Sequence, residues 1–307
     1  MEKGQNEKQK KSIWLGFSVF LIIVAILSAS FVVLRFVSRI SANKRNQELR
    51  DIVNDGADTS NPVIIDTSQI SVITPKEGDG EETKEPEEPV KDWSECTMEE
   101  KKQRYLETYG IIVPDKTLDF DELKETVNKD IYAWIYIPNL DVDDPIVQHP
   151  DDDAYYLNHN LDGTAGYPGG IYTEPTYNST DFMDRMTVVY GHNMRDDKRF
   201  SSLHRLEDPA VFEEIQYVFI YMPDDILVYK IVAAYEGSNL HILATNVWDD
   251  ETWVEYLNGL SAFNGPRDNT REYDYTPETK MLTLSTCIKN VPSKRYLVQG
   301  VLLDECR

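Results

Sequence analysis

Eight short runs rich in β-branched and aromatic residues follow one another between residues 132 and 303, and they constrain the fold more than any other feature. Helical patterns interrupt the runs only at 154–159, 199–215 and 250–263. Many short strands with few helices are typical of a closed barrel. The sequence therefore predicts a mostly β fold, an eight-stranded barrel, with strands at 132–137, 144–148, 169–173, 186–191, 217–222, 226–236, 281–287 and 296–303.

Helices are expected ahead of the barrel and late within it. Thr97-Met98-Glu99-Glu100 is typical of a capped helix start, and a second helix is predicted from Phe120 to Asn128. A longer helix at 250–263 carries four large apolar side chains at helical spacing, and we expect them in the core. They are Trp253, Tyr256, Leu257 and Leu260.

The amino-terminal region contains a candidate membrane anchor. Residues Ile13 to Leu34 form an uncharged, mostly apolar run, and roughly 20 such residues are enough to span a bilayer as a helix. Four lysines precede the run, and positive flanks favour the cytoplasmic side, although four basic residues also follow it. We predict a cytoplasmic tail at 1–12 and a single transmembrane anchor at 13–37. A cleaved signal peptide is the alternative, but the run is longer than a usual signal core.

The segment after the anchor is acidic and poor in apolar residues. Residues 38–92 are predicted to form a disordered stalk, and residues 93–307 a folded domain that begins near Trp93. The first 50 residues hold nine Lys and Arg and three Asp and Glu, which leaves 22 basic and 51 acidic residues in the other 257. Such an excess of negative charge argues against a nucleic-acid partner.

Three residues at strand ends carry the candidate chemistry. Cys287 ends the strand-like run Thr283-Leu284-Ser285-Thr286, Arg295 opens the next run, and His192 follows Thr187-Val188-Val189-Tyr190-Gly191. A cysteine thiolate is a nucleophile, a histidine exchanges protons, and an arginine stabilises a developing oxyanion. Each residue also has a plainer interpretation: an inert buried cysteine, a histidine that caps a turn, and an arginine in a surface salt bridge.

The order and surroundings of these residues resemble the sortase family, specifically class B. The resemblance includes four further blocks, and it covers most of residues 95 to 307. One departure is Asp143-Asp144-Pro145, where the family has an aromatic residue before the proline. The four blocks are Asn128–Ile135, Asp144–Gln148, Tyr155–Leu157 and Gly169–Tyr172.

The resemblance implies a sortase-type barrel and a membrane-anchored cysteine transpeptidase that faces the cell wall. Cys287, His192 and Arg295 are the implied catalytic residues, and Ser285 is implied to line the substrate cleft. The implied substrate is the C-terminal sorting signal of a surface protein, of the Asn-Pro-x-Thr-x kind. The implied acceptor is an amine of peptidoglycan or of its lipid-linked precursor. No cofactor or metal is implied.

Several alternatives stay open. A pilus-assembly enzyme would use the same chemistry with a pilin lysine as acceptor, and an inactive adhesion or scaffold domain would keep only the fold. In a papain-like hydrolase the cysteine precedes the histidine, whereas here His192 precedes Cys287.

Cys96 and Cys306 could form a disulfide, but two separate thiols are favoured. His149 and His159 with the acidic residues 151–153 could bind a metal, but a turn and helix cap is favoured.

Overall fold

The structure, a computed structural model, describes residues 2–54, 91–194, 198–245, 248–304 and 307. In the first helix it describes the side chains of residues 14, 20–33, 37 and 40–53 only. The part of the predicted stalk between residues 55 and 90 lies outside the described residues, and so does Cys306, the partner of Cys96 in the alternative disulfide.

The strands form one sheet that closes into a barrel. Eight strands follow the ring order β5-β1-β2-β3-β4-β8-β9-β6, and the pairing of β6 with β5 closes the ring. A ninth, two-residue strand, β7, pairs with β6. The eight predicted strands are confirmed. The strand bounds are β1 Ile131–Ile137, β2 Val142–Val147, β3 Ile171–Tyr172, β4 Met186–Tyr190, β5 Tyr217–Met222, β6 Asp225–Ser238, β7 Asn269–Thr270, β8 Met281–Ile288 and β9 Val291–Leu302.

Several helices pack on the outside of the barrel, and the segment after β4 contributes Phe200, Leu203 and Leu206 to the interior. The predicted capping box is present, since Thr97 Oγ1 accepts from the Glu100 amide and Glu100 Oε2 accepts from the Thr97 amide. The long late helix is also confirmed, followed by a 3-10 turn at Leu260–Ala262. A 3-10 helix at Arg199–Glu207 connects β4 to α5. The α-helices are α1 Glu2–Val53, α2 Met98–Tyr109, α3 Phe120–Thr126, α4 Tyr155–Asn158, α5 Pro209–Glu214, α6 Ile242–Thr245 and α7 Asp250–Gly259.

Both faces of the main strands are buried. Side chains such as Ile135, Ile220 and Leu284 fill the barrel interior. On the outer face, Trp134 packs with side chains of α2, α3 and the end of α1. Trp253 of α7 packs over another part of the outer face. This two-sided burial explains why the strands read as continuous apolar runs rather than as alternating patterns.

The carboxy-terminal end of α1 is attached to β2 by a buried ion pair. Arg50 Nη2 donates to Asp144 Oδ2 at 2.7 Å, and Arg199 Nε donates to Asp144 Oδ1 at 2.8 Å. Only 1% of the Asp144 side chain is exposed. The neighbouring Asp143 binds Lys116 at 2.8 Å. The two acidic residues before Pro145 therefore hold basic partners where the family resemblance predicted aromatic packing.

The first helix differs from the expected boundaries. Residues 38–53 were predicted to be disordered, but they are helical, and Leu49 and Val53 are buried against the domain. That prediction is wrong for this stretch, because the helix end gains tertiary packing that the local composition does not reveal. Residues 13–37 also belong to α1. Over the described part of the chain, no helical segment combines the length and apolar character of a membrane span. The anchor stays a prediction.

We expect Arg50→Ala to lower the free energy of unfolding at pH 7 by about 1–3 kcal/mol, because it leaves the buried carboxylate with one cation instead of two. Burial pushes the pKa of Asp144 upward, but Arg199 and Arg50 outweigh it and hold the pKa below its usual value of 3.8. The stabilisation is therefore present above pH 3.8 and is lost as the pH falls through the lower folded-state pKa.

Urea unfolding of the full chain at pH 7 and at low pH measures this difference. Lys44→Ala is the matched control, because Lys44 pairs with Glu48 on the exposed side of the same helix. Its effect should stay within about 0.5 kcal/mol. An Arg50→Ala chain as stable as the Lys44→Ala chain would show that the helix end is not held by this pair.

Candidate active site

Strand β8 lies between β4 and β9, and this arrangement positions the candidate residues. Strand β4 runs parallel to β8 with Tyr190 opposite Ser285, and the Gly191 amide then donates to the Ser285 carbonyl at 3.1 Å. Strand β9 runs antiparallel to β8 with Arg295 directly opposite Cys287. His192, Cys287 and Arg295 therefore meet at one end of the three strands, and all three line the same cleft.

Cys287 is the exposed position in a strand that is otherwise buried. It sits one residue before a register shift between β8 and β9. Such irregularities re-aim side chains at the ends of sheets. The interpretation of Cys287 as an inert core cysteine is therefore wrong. Cys96 fits that description instead, since it is buried and its thiol donates to the Asp92 carbonyl at 3.2 Å.

His192 is held by backbone on the opposite wall of the cleft. Its Nε2 lies 2.8 Å from the Leu157 carbonyl, which can only accept, so the hydrogen is on Nε2 and Nδ1 is the nitrogen that can exchange a proton. The Tyr167 ring lies 5.3 Å from the imidazole. Gly169, at φ 69°, lets the chain pass close by, since a Cβ there would lie 3.2 Å from His192 Cδ2.

Arg295 is oriented by its own hairpin. Its Nη1 donates to the carbonyls of Lys294 at 2.9 Å and Pro292 at 3.3 Å. Of the carboxylates in the described ranges, none forms an ion pair with Arg295, although Lys294 beside it pairs with Glu236. The surface salt-bridge interpretation is therefore not supported by the described residues, and the guanidinium presents a positive charge to the cleft.

The cleft has a volume of about 610 Å³. Ser285 lines it, as strand alternation from Cys287 predicts. Tyr172 lies on the wall, and burial, followed by the charges of Glu174 and Cys287, raises the pKa of its phenol above the usual range. Its hydroxyl therefore stays protonated and polar without charge. The apolar part of the lining comes from Leu157, Val188, Tyr235, Leu240, Ile242, Phe263 and Leu297.

Sequence reasoning missed two further histidines near the cleft. His241 lines it and lies 2.6 Å from Glu174, whose pKa is raised by burial in spite of that partner. His204 lies 3.1 Å from the Cys287 carbonyl. No local pattern distinguishes them, because their partners lie far away along the chain.

The region proposed for a metal contains stacked rings instead. Tyr155 stacks on His149 at 4.4 Å and on His159 at 4.1 Å. Asp152 accepts a hydrogen bond from the Ala154 amide, as expected for the turn before α4. Across the described ranges, no group of three or more His, Cys, Asp or Glu side chains could hold a metal ion.

Comparisons with known proteins point to one family. A family model described as a sortase domain matches residues 135–303. A sortase B of Listeria monocytogenes is 30% identical over 192 residues, which is 60% of this chain and 75% of that protein.

Solved structures of the same kind share the fold. Clostridium perfringens sortase B is 27% identical, with a TM-score of 0.53 over 61% of this chain and 100% of that one. A Streptococcus pyogenes class B sortase involved in pilus biogenesis is 23% identical, with a TM-score of 0.52 over 61% of this chain and 98% of that one. The second likeness bears on the fold alone.

Proposed function

This chain belongs to the sortase family and is a cysteine transpeptidase of the class B type, and we propose that it joins surface proteins to peptidoglycan. The observation that carries the proposal is the meeting of Cys287, Arg295 and His192 in one open cleft. A nucleophile, an oxyanion donor and a proton carrier at one place are what acyl transfer from a peptide needs.

The first half-reaction breaks a peptide bond of the sorting signal. The Cys287 thiolate attacks the threonine carbonyl carbon, and a carbon–sulfur bond forms while the oxygen gains negative charge. Arg295 donates to that oxygen. His192 then gives its proton to the leaving nitrogen, and the carbon–nitrogen bond breaks. The product is a thioester on Cys287 and a released peptide with a free amine.

The second half-reaction uses the same groups in reverse. An acceptor amine attacks the thioester carbon, and His192 takes a proton from that nitrogen. The carbon–nitrogen bond forms, the carbon–sulfur bond breaks, and the thiolate of Cys287 is restored. Because proton gain in one half equals proton loss in the other, the enzyme returns to its starting state after each turnover.

The lining of the cleft supports a peptide substrate. Its wall combines apolar side chains with a small number of polar groups such as Ser285 and Tyr172, as is usual for sites that fix the orientation of a ligand. We assign the Asn-Pro-x-Thr-x kind of signal from the class B relationship, with Ser285 in substrate contact.

We expect a peptide with this signal to leave its acyl part on Cys287 of the full chain, purified in detergent, as a thioester detectable by mass spectrometry. Cys287→Ala should give neither thioester nor cleavage, because the nucleophile is gone. Cys96→Ala is the matched control and should retain both, since that thiol is buried away from the cleft. A peptide with the same residues in scrambled order should not react. Cleavage by Cys287→Ala at the wild-type rate contradicts the proposal.

The acceptor amine separates wall anchoring from pilus assembly. The Streptococcus pyogenes enzyme named for pilus biogenesis has the same fold, so the fold does not discriminate. Adding either a peptidoglycan stem-peptide amine or a lysine-containing pilin segment to the preformed thioester shows which acceptor resolves it faster. We assign the peptidoglycan amine, and faster transfer to the pilin lysine would replace it.

Arg295→Lys tests whether Arg295 acts through geometry or through charge alone. A lysine keeps the charge but loses the planar fork of donors, so kcat should fall on the order of 10²-fold while KM changes less. Arg295→Ala should fall at least as far. Lys294→Ala removes the neighbouring positive charge and serves as the control. A near-normal kcat in Arg295→Lys would mean that Arg295 contributes diffuse charge only.

The site of action follows from the apolar run and the acidic domain. We propose that residues 13–37 anchor the chain in the cell membrane with the amino terminus inside and the domain facing the wall. Exposed apolar side chains on α1, among them Phe20, Leu27 and Phe31, support an apolar environment for this part of the helix. Removal of residues 2–37 should release the enzyme from sedimented membranes, and continued sedimentation would contradict the anchor.

A further inference from the structure

The main-chain carbonyl of Cys287 is contacted by two side chains that the proposed reaction does not use. Asn193 Nδ2 donates to this oxygen at 2.7 Å. His204 Nε2 lies 3.1 Å from the same oxygen and 3.0 Å from Asn193 Nδ2. An amide, an imidazole and the carbonyl of the nucleophile therefore form a closed triangle.

His204 is itself held on two sides. Its Nδ1 lies 2.6 Å from Glu207 Oε1 within the same 3-10 helix, and Glu207 Oε2 lies 3.5 Å from Arg267 Nε. The imidazole stacks on Tyr296 with ring centres 4.8 Å apart. Tyr296 is fully buried and lies within β9, directly after Arg295. The position of the imidazole is thus fixed by the barrel itself.

Asn193 extends the pairing of β4 and β8 beyond the end of the strand. Strand β4 ends at Tyr190, and the Gly191 amide makes the last backbone bond to β8, at Ser285. In the described ranges, the next hydrogen bond between these two segments comes from the Asn193 side chain to Cys287. Asn193 directly follows His192. This hydrogen bond therefore links Asn193, the neighbour of His192, directly to Cys287.

We propose that Asn193, held in place by His204 and Glu207, is a positioning unit that keeps the Cys287 backbone in register with His192. The inference rests on the proposed function, because it assumes that Cys287 attacks and that His192 moves the proton. A displacement of about one ångström between Cys287 and His192 would lower the rate, since both must reach the same peptide bond and proton transfer needs hydrogen-bond contact.

The hydrogen inventory is consistent with this role when His204 is neutral. With its hydrogen on Nδ1, His204 donates to Glu207 and accepts from Asn193 through Nε2. Asn193 still supplies a hydrogen to the Cys287 carbonyl, because its amide nitrogen carries two. The opposite amide orientation would set oxygen against oxygen.

Steady-state kinetics with the sorting peptide, on the full chain in detergent, test the proposal. Asn193→Ala and His204→Phe should each lower kcat about tenfold, because each removes roughly one hydrogen bond that positions Cys287. KM should stay within about twofold of the wild-type value. His204→Phe keeps a ring that can stack on Tyr296 and loses both nitrogens. His204→Gln keeps an amide oxygen that can accept from Asn193 and should recover part of kcat.

His149→Phe is the matched control, because His149 also stacks on a tyrosine and accepts from a backbone amide, but away from the cleft. Its kcat should be unchanged. The rate of alkylation of Cys287 by iodoacetamide gives a readout without substrate, and it should fall in Asn193→Ala and His204→Phe as in His192→Ala. If Asn193→Ala fails to fold, Asn193→Asp preserves the side-chain volume and removes the donor.

The outcomes separate the two proposals. Unchanged kcat and alkylation in both variants, while Cys287→Ala is inactive, would overturn the positioning unit and leave the proposed function intact. A lower melting temperature with unchanged kcat, or no recovery in His204→Gln, would also overturn it and reduce these contacts to a structural role. Peptide cleavage by Cys287→Ala would overturn the proposed function, and slower alkylation in the Asn193 and His204 variants would still support the unit.

Discussion

The register of β8 against its two neighbours is the constraint on which the rest of the structure depends. Parallel pairing with β4 sets Tyr190 opposite Ser285, and antiparallel pairing with β9 sets Cys287 opposite Arg295. Because successive side chains alternate between faces, a slip of one residue in either pairing would turn Cys287 away from its partners. The closed ring leaves little freedom for such a slip, since β9 is also paired with β6. The strand pairing of the barrel thus sets the distances between Cys287, Arg295 and His192 in the cleft.

Much of this could be predicted because it is local. Strands, caps and the long late helix follow from residue type and spacing over a few positions, as the capping box at Thr97 illustrates. The meeting of Cys287, His192 and Arg295 in one cleft could be predicted because each lies in a recognisable block of sequence. Contacts between residues that are far apart in the sequence could not be predicted. Arg50 and Asp144 are 94 positions apart, and His204 is 83 positions from Cys287, so no window of sequence connects them.

The buried carboxylate of Asp144 joins distant parts of the chain. Arg50 of α1 and Arg199 of the 3-10 helix each donate to one of its two oxygens. Removing a carboxylate from water is expensive, and its two arginine partners largely offset that cost rather than exceed it. The contact therefore adds little net stability, but the loss of one arginine would leave a buried carboxylate with too few partners.

Cys287 and Arg295 belong to a single hairpin, since β8 and β9 are joined by only two residues. His192 lies almost a hundred residues earlier, and β9 fills the last gap between β8 and β6. The chain is synthesised from its amino terminus, so a nascent chain that ends between β4 and β8 contains His192 but neither Cys287 nor Arg295, and its barrel is not closed. The three residues therefore meet in one cleft only after β9, which closes the ring, has been made.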